Sequence, residues 1–262
     1  MHKFKEKSQA IKDEIHEHKA SFIVYILLRV IIFIVMILQL LHHNYENVFL
    51  CVLTLFLMIV PSFIQAEFKI ELPSLLEIII FLFIFSAEIL GEISSFYIYF
   101  PMWDTILHTL NGFLCAAIGF SLVEIMNNDK RLKFTLSPVF MSVVAFCFSM
   151  TIGSLWELFE FGMDQFFHFD MQKDTVIHAI HSVTLDPTKS NIPVTINSIS
   201  EVLINGHNLG LGGYLDIGLI DSMLDLFVNF IGAFIFSIFG FFYSLKKEKK
   251  NFIQQFIPVK KE

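Results

Sequence analysis

The chain has 262 residues, of which 55% are hydrophobic, 32 are phenylalanine and only 16% are charged. That balance excludes a water-soluble globular core and describes an all-α, polytopic membrane protein. The formal charge of −7 does not mark an acidic aqueous surface, because many of the acids lie inside apolar runs while lysine and arginine lie mostly outside them.

Residues 1–20 form a polar, mixed-charge tail. Apolar runs long enough to cross a bilayer, about 20 residues each, then follow near 21–41, 46–64, 75–99, 104–126, 138–164 and 219–244. These predict six helices in a membrane domain spanning 21–244. The first has no small-residue cleavage site behind it and reads as a retained signal anchor. Lys3, Lys5, Lys7, Lys12 and Lys19 precede it, Lys69 separates the second and third helices, Lys130, Arg131 and Lys133 separate the fourth and fifth, and Lys246, Lys247, Lys249 and Lys250 follow the sixth. The alternate connections, 42–45 and 101–104, carry none. The positive-inside rule therefore predicts cytoplasmic termini, a cytoplasmic basic tail at 245–262, and an outer insertion at 165–218. A bacterial plasma membrane is the expected location.

Polar residues inside the apolar runs fall on single helical faces. Glu88 and Glu92 are spaced i, i+4 in the third helix. Asp104, His108 and Asn111 are spaced i, i+4, i+7 in the fourth, with His108 about 6 Å deeper than Asp104. Glu157, Glu160 and Asp164 share a face of the fifth, and Asp221, Asp225 and Asn229 share a face of the sixth. On the predicted topology all lie toward the outer side, which implies a common outward-facing cavity. Asp104, Asp164 and Asp221 sit near enough to water to serve as ordinary boundary residues. The deeper set, His108, Glu157, Glu160, Asp225 and Asn229, needs a counter-charge, because several acids in a low-dielectric site do not all ionise alone. No lysine or arginine lies in the outer halves of helices three to six. Protons, a cationic ligand or a divalent metal ion (Zn, Mg or Mn) must then balance the site, with Asp104, His108, Glu160, Asp164, Asp221 and Asp225 as candidate ligands. His108, Glu157, Glu160 and Asp225 are the candidate catalytic groups, and Asn111, Asn229, Glu88 and Glu92 the candidate binding groups. Arg29, Glu77 and Glu124 read as snorkelling or paired structural residues, and Cys51, Cys115 and Cys147 as small core residues.

Within the insertion, DTVIHAIH places Asp174, His178 and His181 at i, i+4, i+7, which predicts an amphipathic surface helix rather than a second ligand face. IPVTINSISEVLING alternates as a strand does and predicts a small hairpin over the cavity mouth. GHNLGLGG lacks the ending and the preceding strand of a phosphate-binding loop. Nucleotides and nucleic acids are not expected partners, whereas membrane lipids are.

The motifs Asp104-x-x-x-His108, Trp156-Glu157-Leu158-x-Glu160 and Asp221-x-x-x-Asp225, the last followed by Asn229 and Gly232, resemble the YjdF-like family of bacterial inner-membrane proteins of unknown function. More loosely, their order is similar to that in VanZ-like membrane proteins. The insertion at 165–218 departs from both patterns, and Thr105 stands where VanZ-like proteins have lysine. The preferred functional expectation is a metal-dependent membrane enzyme acting at the outer leaflet on a lipid or cell-envelope precursor. A transporter or binding protein for a cation or cationic compound is the alternative, and a structural membrane protein is a third. No inverted repeat supports transport. No HExxH or GxSxG signature supports a known hydrolase.

Overall fold

The computed structural model describes residues 19–68, 70–127, 135–246 and 252–260. The polar tail before Lys19, and the basic residues at 69, 130–133 and 247–250, lie outside the described residues. Among the described residues, six helices are long and apolar enough to cross a membrane. They form a polytopic helical bundle, divided into two compact units: Met1–Gly153 with Val228–Glu262, and Ser154–Phe227.

In the first unit, helix α1 (Lys19–Leu41) buries only Ser21, Leu28 and Ile32. Ile23, Leu27, Val30 and Ile34 are all more than half exposed, a surface suited to lipid and not to water. Helix α2 (Tyr45–Leu57) begins where the Asn44 side chain accepts a hydrogen bond from Asn47 N at 3.2 Å, which satisfies a free amide of the helix start, and Glu46 in its first turn suits the positive end of the helix dipole. Helix α3 (Val60–Phe68) continues the second span and is followed by strand β1 (Ile70–Glu71).

The third span departs from the expected helix over 75–99. It opens as α4 (Ser74–Phe85), continues with π-helical winding over Ser86–Ile93, and stops at Ser95, whose φ is +60°. Gly91 leaves the room that the Tyr97 ring occupies, since a Cβ there would lie 2.7 Å from Tyr97 Cζ. A short turn, α5 (Phe96–Tyr99), leads to α6 (Trp103–Asn127), whose Trp103 Nε1 donates to Ser86 O at 3.2 Å. Glu77, read as structural, accepts from Gln65 Nε2 at 3.3 Å.

Helix α7 (Pro138–Phe167) starts with proline in its first turn, where a missing N–H is harmless, and Ser137 Oγ accepts from Phe140 N at 3.2 Å. Helix α8 (Leu219–Lys246) completes the six. Leu72, Leu76, Leu114, Ala117, Phe120, Met141, Ala233 and Phe236 form the larger apolar core of the first unit; Leu28, Ile32, Cys51, Met58, Phe81 and Ile89 form the smaller. Cys51 is buried as expected, but Cys147 is exposed on the outside of its helix and is no core residue.

The segment expected as a basic tail contributes to that larger core. Phe252–Phe256 makes a 3-10 turn, Phe256 and Ile257 are buried, and the Phe256 ring meets Phe113 edge-on at 5.3 Å. Strand β8 (Val259–Lys260) then pairs antiparallel with β1.

The second unit carries the insertion. Strands β2 (Thr175–Ile177), β3 (Ile180–Ser182), β4 (Val194–Ile196), β5 (Leu203–Ile204), β6 (His207–Asn208) and β7 (Tyr214–Asp216) pair antiparallel as β2 with β7, β3 with β4, and β5 with β6. The surface helix expected over DTVIHAIH is therefore absent, and two strands replace it. Its run of Thr, Val and Ile suits a pleated surface, and the partners come from residues 214–216 and 194–196, which local periodicity does not register. Within 192–206, Val194–Ile196 pairs with β3, while Leu203–Ile204 forms a hairpin with His207–Asn208 just beyond that stretch, turned by Asn205 and Gly206, both at positive φ, the pattern of a two-residue Asn-Gly turn.

Asp186 organises the loop after β3. Its carboxylate accepts from Thr188 Oγ1 at 2.6 Å, Thr188 N at 2.9 Å, Ser190 N at 2.8 Å and Ser190 Oγ at 2.9 Å. The Thr188 hydroxyl first, with its own amide and Ser190 adding to it, holds this carboxyl well below the ordinary carboxylate range.

Candidate functional site

Small residues let α6, α7 and α8 meet closely in the first unit. A Cβ on Gly112 would run into Asn229 O, one on Gly232 into Thr109 O, and one on Gly153 would lie 2.7 Å from Asn229 Nδ2. Ser149 Oγ donates to Gly112 O at 2.7 Å. At this crossing Asn111 Nδ2 donates to Asn229 Oδ1 at 3.0 Å, and Asn229, with no exposure, turns its own amide to Met150 Sδ at 3.6 Å. The two asparagines expected as binding groups are thus brought together as an interhelical amide pair.

Asp104 and His108 precede Asn111 on the same face of α6. His108 Nε2 lies 3.4 Å from Asp104 Oδ1, with the imidazole 11% and the carboxylate 31% exposed. An i, i+4 carboxylate–imidazole pair of this kind holds the ring orientation. His108 Nε2 and Asp104 Oδ1 are also close enough to serve one ion together.

The second unit holds Glu157, Glu160, Asp164, Asp221 and Asp225. Glu157 and Glu160 are buried on α7, on the face that continues from Ser149 and Gly153 at helical spacing, and Trp156 Nε1 donates to Glu160 Oε1 at 2.8 Å. Asp225 is buried on α8, one turn before Asn229.

Asp164 and Asp221 have another task. Asp164 accepts Met171 N at 2.7 Å and Gln172 N at 2.9 Å, and Asp221 accepts Lys173 N at 2.7 Å. Gln172 Nε2 donates to Ser222 Oγ, and Asp216 Oδ2 caps the start of α8 through Ile220 N at 2.8 Å. These carboxylates fasten the insertion to the ends of the two helices that carry it. Asp174 sits beside this fastening, its carboxyl raised by burial first and then by Asp170, Asp216 and Asp164. His178 and His181 are engaged in the same unit, with Ile199 O at 3.0 Å and Thr195 Oγ1 at 2.7 Å.

Glu88 and Glu92 lie in the π-helical stretch. Glu88 is buried, and its Oε2 has no hydrogen-bond partner among the described residues. The neighbouring Ile89 packs into the smaller core with α1 and α2, and no hydrogen bond among the described residues joins Glu88 to the Asn111–Asn229 pair. Sequence reasoning missed Ser149, Gly112 and Gly153, whose sole signal is small size at helical spacing. It also missed Trp103, whose bond to Ser86 O depends on π winding that no local pattern announces.

No curated protein and no solved structure matches the chain. A family model described as Predicted membrane protein (DUF2238) matches residues 23–246. Because that match runs from the first spanning helix to the end of the last, the chain belongs to this family of predicted membrane proteins, DUF2238.

Proposed function

We propose that the protein is a membrane-embedded, metal-dependent enzyme acting on a lipid or cell-envelope precursor at the outer leaflet of a bacterial plasma membrane, with both termini cytoplasmic. The resemblance to YjdF-like and VanZ-like proteins, carried by the Asp104/His108, Trp156/Glu160 and Asp221/Asp225 motifs, belongs to this proposal. One observation supports it most: His108 Nε2 and Asp104 Oδ1 lie 3.4 Å apart on one face of α6, a nitrogen and an oxygen donor that suit one divalent ion, with His108 favouring Zn2+ over Mg2+. Asp225 is a further proposed oxygen ligand. A metal held there would act as a Lewis acid or supply an activated water. Glu157 and Glu160 are the acids available to move a proton, and Trp156 orients Glu160 through its indole N–H.

Element-resolved metal analysis and thermal melting of the purified protein test this reading. A divalent ion in stoichiometric amount is expected, together with a chelator-dependent fall in melting temperature, since a ligand at a hundredfold excess over its dissociation constant stabilises by roughly 2.7 kcal/mol. Asp225→Asn should lower both the metal content and the chelator response. Metal-free protein with chelator-insensitive melting would sink the proposal.

The buried Glu88 Oε2 favours a second reading, proton or cation carriage through the bundle. Metal-free protein whose melting temperature rises on Glu88→Gln would support it, because removing an uncompensated buried charge is stabilising.

A further inference from the structure

The hairpin β5–β6 exposes more apolar surface than a water-facing loop carries without a partner. Leu203 is 61% exposed and Ile204 53%, and Leu209 and Leu211 are exposed beside them. Adjacent strand residues point to opposite faces, so with Leu203 and Ile204 both exposed the tip is apolar on each side. From Val202 to Tyr214 the sequence VLINGHNLGLGGY contains no lysine, arginine, aspartate or glutamate. The nearest charge, Glu201, is held at the base by Asn208 Nδ2 at 2.9 Å. Leu209 N to Val202 O at 3.1 Å and Gly210 N to Asn208 Oδ1 at 2.7 Å keep the hairpin folded. This is an ordered hairpin that exposes Leu203 and Ile204 on opposite faces and Leu209 and Leu211 beside them, with Gly206 and the polar Asn205, His207 and Asn208 at its turn and Glu201 at its base.

We infer that this tip docks into the lipid surface of the membrane that the chain already spans. A protein partner would cover one face of the hairpin, whereas lipid surrounds an inserted tip on all sides, which is what two exposed faces require. Absence of charge suits the boundary between headgroups and acyl chains. The membrane is also close along the chain. Leu211 is followed within a few residues by Ile217 and Leu219, 79% and 65% exposed, at the start of spanning helix α8. Gly210 and Gly212, at φ +71° and +73°, give the intervening chain turns that a side chain would strain. The proposal does not rest on the metal reading or on which side of the membrane the insertion lies, so either can fail alone.

The test uses the full-length protein in proteoliposomes, with an environment-sensitive fluorophore on Ile204→Cys and, separately, on Ser200→Cys at the charged base. The wild-type chain, labelled in parallel, corrects for Cys51, Cys115 and Cys147. The Ile204→Cys label is expected to emit blue-shifted, to be quenched by brominated lipid several-fold more than the Ser200→Cys label, and to resist aqueous iodide. Iodide quenching of both labels alike would overturn the inference. So would protection of the Ile204→Cys label from iodide and brominated lipid together, which would assign the tip to a protein partner or a second copy. Equal thermal melting of the two variants in detergent shows that neither result reflects unfolding.

Discussion

Glycine at the α6–α8 crossing is a packing requirement, and it separates two residues that sequence alone treats alike. A methyl group on Gly232 would strike Thr109 O and lie 2.9 Å from Phe113 N, both backbone atoms that cannot swing aside, whereas nothing lies within 4 Å of a Cβ on Gly162. Gly232→Ala is therefore expected to destabilise by about 1–3 kcal/mol, the usual range for overpacking. Gly162→Ala is expected to be neutral or to stabilise by up to about 1 kcal/mol through helix propensity. Thermal melts of both in detergent check the contrast, and an equal effect would remove the close crossing. The polar residues were legible as a face because a period of 3.6 residues is local. Their tasks were not, because Asp164 and Asp221 differ from Asp225 only in what folds over them. The first two receive backbone amides of Met171, Gln172 and Lys173, while Asp225 is buried one turn deeper.

At the scale of single elements, the loop after β3 shows how one carboxylate sets a conformation. Its pKa lies below the ordinary value because hydroxyls and amides of Thr188 and Ser190 bond the ionised form. The stabilisation is thus fully present above the unfolded-state carboxylate pKa, about 4, and is lost as pH falls through the lower folded value. The protection factors of the Thr188 and Ser190 amides, which are corrected for the intrinsic pH dependence of exchange, should stay high through mildly acidic solution and fall only under strongly acidic conditions. In Asp186→Asn they should be low already at neutral pH and nearly independent of acidification in this range. The spanning helices were visible because hydrophobic length is a local property. The π winding at Ser86–Ile93 and the strands at 175–182 were not, since the first depends on Tyr97 and Trp103 folding back, and the second on partners tens of residues away.

For the whole molecule, the proposed orientation makes a direct prediction. A cysteine at Ser200 should react with a membrane-impermeant maleimide on intact cells, and one at Asn128 only after permeabilisation; reversed labelling would move the acids to the cytoplasmic side and end the outer-leaflet reading. Six spans, a membrane-embedded polar face on four of them, and a large insertion before the last are properties that the sequence determined by itself, because each follows from composition and spacing within a window of one helix. Only the tertiary structure decided that Asn111 and Asn229 form a pair across α6 and α8 and that Phe256 and Ile257 join the core beside Phe113. It also decided that the insertion is stitched shut by β2–β7 and by carboxylates at its helix ends. Hydropathy records the transfer of each residue from water to an apolar medium, which needs no partner. A hydrogen bond, a ring contact or a strand pair requires two distant segments to arrive at one place, and the chain settles that only when it folds.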